Sequence, residues 1–169
     1  QTVYVVLPVI ISQDRKEHLQ SNILMFFTGF VRYSHEVQET NISNDKSRTD
    51  ALKRMLYLVD EAEKVLTDKT RDLDDFGRLL DESWRMKRST GSSVSTSEID
   101  EFYEKGIQAG ALGGKLLGAG GGGFLIFYVQ PEKRESVMNA MRDLLYIPFE
   151  FETSGAQVAH YTPESYEPA

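Results

Sequence analysis

The chain has 169 residues, 40% of them hydrophobic and 27% charged, with a formal net charge of −7 and no cysteine. That composition fits one soluble globular domain with a sizeable core. It excludes disulfides, a cysteine nucleophile and thiolate metal sites, and it speaks against nucleic acid and anionic membrane surfaces as partners. The chain opens on Gln1 and runs at once into Val3–Leu7, a β-prone stretch, as expected of a chain that begins inside a longer protein. A long helix is expected from about Lys16 to Glu39, because Leu19, Ile23, Phe26, Phe27 and Phe30 fall on one face of a 3.6-residue period. Asn41 to Ser47 reads as a turn. A second helix follows over about 49–66, with Leu52, Met55, Leu56, Val59 and Leu66 as its stripe. A third covers about 73–87, with Phe76, Leu79, Leu80 and Trp84 as its buried face. The Ser, Thr and Gly of 89–97 make a loop. Ser95 and Glu98 have capping-box spacing, so a fourth helix is expected there, stopped by Gly110.

Beyond Gly110 the pattern changes. Residues 111–123 read as a glycine-rich loop and Phe124–Val129 as a strand. Pro131 opens a helix that runs to about Leu145. Two last strands are expected at 147–153 and 157–161. The sum is an α+β domain spanning 1–169, an antiparallel sheet of about four strands with helices packed on it. No run of about 18 apolar residues offers a membrane span and no signal peptide is visible, so a cytoplasmic protein is expected. His18, His35 and His160 are scattered without metal-ligand spacing.

Nine of the thirteen glycines lie between Gly106 and Gly123. Four of them, Gly120 to Gly123, are consecutive, and ordering such a run carries a high entropic cost. A flexible turn is the simplest reading. The alternative is close backbone approach to an anion, with the charge of Lys115 beside it. Two familiar phosphate loops fail here. Gly118, Gly120 and Gly123 satisfy G-x-G-x-x-G, but the order is helix, loop, strand rather than strand, loop, helix. Gly114-Lys115 is followed by Leu116, where a P-loop needs Ser or Thr.

The stretch Gly113-Gly114-Lys115-Leu116-Leu117-Gly118-Ala119-Gly120-Gly121-Gly122-Gly123-Phe124 resembles the third conserved motif of the GHMP kinases, the family of galactokinase, homoserine kinase and mevalonate kinase. Where that family often has Ser or Thr, this chain has Leu117, which carries no hydroxyl. Ser21 to Arg32, with Thr28-Gly29 before Arg32, is similar to the T-G-x-x-R segment of the heptose kinases within the family; so are Glu82 to Lys87 and the run from Ile99 into Lys115. The resemblance implies a ferredoxin-like carboxy-terminal domain of a sugar kinase. Such an enzyme would transfer phosphate from ATP to the anomeric hydroxyl of a heptose 7-phosphate, or act on galactose or fucose. It also implies that ATP, Mg2+ and the catalytic aspartate are held mainly by an amino-terminal domain, which would be this chain's partner alongside the sugar or sugar phosphate. The family's nucleotide loop does not occur here, so the chain alone should be inactive, with no catalytic residue and no metal ligand of its own.

Candidate ligand-binding residues follow. Gly118, Gly120, Gly121 and Gly122 would close against phosphate or sugar, and Lys115 would hold a phosphate unless it is a solvated loop lysine. Arg32 and Thr28, one turn apart on the expected first helix, would take the distal phosphate of a sugar phosphate; Arg32 also has Glu36 four residues on as an ion-pair partner. Lys87 is a further candidate, although a cation there equally suits the end of the helix dipole. Trp84 reads as a core aromatic or as a sugar platform. A stand-alone module that binds a small regulatory ligand fits the same glycine loop.

Overall fold

The computed structural model describes residues 8–30, 46–89, 94–118 and 122–152, with side chains from residue 49 onward in the second segment. The elements are α1 (Gln13–Ser21), β1 (Ile23–Phe27), α2 (Lys46–Thr67), α3 (Asp74–Ser89), α4 (Ser97–Gln108), β2 (Gly113–Leu117), β3 (Phe124–Tyr128), a 3-10 turn (Pro131–Lys133), α5 (Arg134–Ala140) and β4 (Leu145–Tyr146). The sheet runs in the order β2-β3-β1-β4, antiparallel at every pairing. Strand, helices, two strands, helix, strand in that order is the ferredoxin-like split βαβ pattern. The α+β class and the four-stranded antiparallel sheet therefore hold. Among the described residues, no helix is long and apolar enough to cross a membrane.

The largest correction concerns the first strand. The expected helix from Lys16 to Glu39 ends at Ser21, and Ile23–Phe27 is an interior strand, paired with β3 from Ile23↔Tyr128 to Phe27↔Phe124. Ile-Leu-Met-Phe-Phe is apolar throughout because both faces of the strand are covered. Leu24 and Phe26 enter a core with Trp84, Tyr103, Leu125 and Phe127, while Ile23 enters a second core with Leu19, Val65, Leu73 and Tyr128. A run without alternation fits helical and extended periods equally. Arg15 fixes α1 to the bundle: its guanidinium donates to the carbonyls of Val65 and Leu66, which the end of α2 would otherwise leave unpaired, and to that of Arg71 in the loop beyond.

Smaller corrections follow the same logic. In α2 the buried residues are Leu58 and Val65, whereas Leu52, Leu56 and Val59 of the expected stripe are more than half exposed. The helix carries two adjacent apolar rows, and the row containing Met55, Leu58 and Ala62 faces α3. The cap of α4 is Thr96, whose hydroxyl accepts from the Ile99 amide; Ser95 bonds the Asp100 carboxylate instead. Gly110 ends that helix at φ +111°, as expected. The helix after Pro131 stops at Ala140 rather than Leu145, and the strand that follows is Leu145–Tyr146, just before the expected 147–153. The expected strands at Val3–Leu7 and 157–161 lie outside the described residues.

Candidate functional site

The segment read as one glycine loop divides in two. Gly113–Leu117 is strand β2, paired with β3 from Gly113↔Tyr128 to Leu117↔Phe124, and Gly118, Gly122 and Gly123 are the described residues of the turn between the two strands. The first part owes its glycines to packing. A Cβ on Gly113 would overlap the Gly77 carbonyl oxygen of α3, and one on Gly106 would overlap the Phe127 ring. Helix and strand backbones touch there, so much of the glycine density that suggested a ligand loop is an interior contact.

The turn is different. Gly118 stands at φ +110° and Gly123 at φ +115°, both in the region that favours glycine. Among the described residues, a Cβ on Gly118 would meet nothing closer than the Gly122 carbonyl at 3.9 Å. Its conformation rather than crowding selects the residue. Across the turn lies the chain leaving β1. The Thr28 amide donates to the Gly123 carbonyl at 2.9 Å, the Thr28 hydroxyl donates to the same oxygen at 2.8 Å, and the Gly123 amide donates to the Phe30 carbonyl at 2.9 Å. Gly122 has no room for a side chain against Phe30. Thr28 lies just past the end of β1, beside Gly123, and not on the expected helix. It is buried, and its hydroxyl is committed to fastening the turn rather than turned toward a ligand.

Two lysines converge on this corner from different elements. Lys87, in the last turn of α3, donates to the Gly118 carbonyl at 3.3 Å. Its neighbour Arg88 turns the other way, to Asp100, Glu104 and the ring of Trp84. Lys115 projects from the middle of β2, with its ammonium 3.5 Å from the Ser83 hydroxyl one turn before Lys87. Burial, and then the charge of Lys115, hold the Lys87 ammonium below the ordinary lysine range. The two ammonium groups therefore repel each other across this corner. No group of His, Asp or Glu able to hold a metal ion occurs among the described residues.

Of the residues singled out in the sequence, Lys87, Lys115, Gly118, Gly122 and Thr28 meet at this corner. Gly120, Gly121 and Arg32 lie outside the described residues. Trp84 is fully buried, its ring tilted against that of Tyr103, and cannot serve as a sugar platform. Sequence reasoning missed Ser83 and Gly123. The signal for Ser83 was its spacing four residues before Lys87, which puts both on one helix face.

The family model described as GHMP kinases C terminal matches residues 58–147, more than half of the chain. The D-glycero-alpha-D-manno-heptose 7-phosphate kinase of Campylobacter jejuni is 30% identical over 142 residues, covering 82% of this chain and 41% of that protein. The galactokinase of Thermococcus kodakarensis is 37% identical over 135 residues, covering 78% and 37%. The mevalonate kinase structure from Methanococcus jannaschii superposes with a TM-score of 0.65 at 23% identity, over 81% of this chain and 42% of that one, a likeness of fold. The chain spans about two fifths of the length of these relatives.

Proposed function

The chain belongs to the GHMP kinases, as their carboxy-terminal domain, and on that premise we propose that it forms one wall of the active site of an ATP-dependent sugar kinase. The observation that carries this reading is the corner where Lys87 and Lys115 flank a turn held by Gly118, Gly122 and Thr28. Phosphoryl transfer asks a protein mainly for positioning and for neutralisation of charge on the phosphate oxygens. Two ammonium groups on rigid elements supply the second, and the fastened turn supplies close approach. Lys115 would act as a point charge on a phosphate. Lys87, sensitive to its surroundings, would gain most from an arriving anion. Thr28 keeps the turn in register. ATP and Mg2+ would be held mainly by the remainder of the kinase, and the ion would neutralise phosphate charge there. Alone, the chain would transfer nothing.

For the substrate we favour a heptose 7-phosphate, supported by the 30% identity to the Campylobacter jejuni enzyme across most of the chain. Arg32 would take the distal phosphate. A galactokinase-like reading is supported by the 37% identity to the archaeal galactokinase. Steady-state kinetics of the intact kinase on heptose 7-phosphate, galactose and fucose separates them. Lys115→Met should lower kcat/KM on the true substrate about 10- to 150-fold, the worth of one charge-assisted hydrogen bond. An unchanged kcat/KM would remove the corner from the active site.

A further inference from the structure

On one face of β2, Lys115 stands half-buried between the buried Gly113 and the exposed Leu117. In β2, Leu116 enters the core on one side. Gly113, two residues before Lys115 and on the same face, lies against the backbone of α3. Lys115 therefore projects under the helices. The space it enters is a pocket of about 180 Å³ between α2 and α3, walled by Leu58, Val59 and Ala62 from one helix and Phe76 and Leu79 from the other. Lys115 and Ser83 are the polar residues of its lining. Among the described residues the Lys115 ammonium has no carboxylate partner, and its contact with Ser83, at 3.5 Å, is at the limit of a hydrogen bond. An apolar cavity with a cation at its wall is complementary to a molecule with an anionic end and an apolar body.

We propose that this pocket binds a small amphipathic anion, a phosphate monoester bearing a short apolar chain or ring, with the head on Lys115 and the body between α2 and α3. The body would occupy the side of Lys115 away from the glycine turn. Because the head group shares Lys115 with the phosphate corner described above, occupancy of the pocket would compete with the kinase's own phosphate there and act as an inhibitory input. The pocket rests on that reading only through the shared lysine.

The test is calorimetric titration of the 169-residue chain with hexyl phosphate and, separately, inorganic phosphate. Each methylene taken out of water contributes about fourfold in affinity, so partial burial of the chain should make hexyl phosphate at least tenfold the tighter ligand. Ala62→Phe fills the pocket and should abolish that advantage while leaving inorganic phosphate unchanged. Val59→Gln, at a position 61% exposed and so no threat to folding, should reduce the advantage threefold or more. Equal affinity for the two ligands overturns the proposal, as does an advantage that survives both substitutions. Loss of inorganic phosphate binding alone, with hexyl phosphate still sensitive to Val59→Gln, would instead count against the phosphate corner and leave the pocket standing.

Discussion

Two groups of glycines, a few residues apart, do opposite work. Gly106 and Gly113 are buried because another backbone or ring occupies the place of their side chain; Gly118 is exposed, uncrowded by the described residues, and set by its positive φ. The first group lets α3 and α4 lie against the sheet. The second shapes a turn that faces two lysines. A glycine-rich stretch is therefore not one signal. Its interior members report on packing and its turn members on the site, and substitution should tell them apart.

The largest effect is expected at Gly113. Gly113→Ala places a methyl group inside the Gly77 carbonyl, which is backbone and cannot rotate away. The loss should reach about 3 kcal/mol or more, read by urea unfolding. Gly118→Ala should cost about 1–3 kcal/mol, from its backbone conformation alone, leaving a folded protein with weakened phosphate binding. Equal losses at the two positions would erase the distinction between packing glycines and turn glycines.

Thr28 tests whether the turn is fastened from outside. Thr28→Val keeps the shape and removes the hydroxyl that donates to Gly123. It should cost about 1 kcal/mol, and Thr28→Ser should restore most of it. No loss with valine would leave the backbone bonds between 28–30 and 123 as sufficient fasteners.

The smallest effect is at Lys87, and its sign is opposite. Its pKa is lowered in the folded chain, by burial first and Lys115 second. Between the folded and the unfolded values the unfolded chain binds more protons, so stability rises with pH in that window. Below it the charged lysine is a full burden on the fold. Lys87→Met should then stabilise the domain near neutral pH by about 0.5 kcal/mol or less, while weakening phosphate binding. The stability difference should shrink as pH climbs toward 10.5, the ordinary lysine value. A destabilised variant would mean that the Gly118 bond outweighs the charge.

The helices that frame the site were legible in the sequence, because α3 and α4 carry one polar and one apolar face each. The first strand was not. Ile23–Phe27 is covered on both sides, so its run of apolar residues fits a helical stripe as well as a strand, and the neighbours Leu19 and Phe30 completed a false period. Strand β2 was hidden for a related reason: Gly113 and Gly114 have no side chains to alternate, since the room is taken by Gly77 and Phe127. Lys87 and Lys115, 28 positions apart in the chain, were each visible as cations; their convergence was not, because it depends on α3 lying along the edge strand. Ser83 belonged to the same helix face as Lys87 but had no chemistry of its own to draw notice.

The most direct measurement is a pH titration of the Lys87 ε-methylene by carbon-detected NMR on the 169-residue chain, with and without inorganic phosphate. Without phosphate the midpoint should lie below that of an ordinary lysine. With phosphate it should move upward, because the anion favours the charged form, and Lys115→Met should move the phosphate-free midpoint upward as well. An ordinary midpoint that phosphate leaves in place would contradict the assignment of this corner as an anion site.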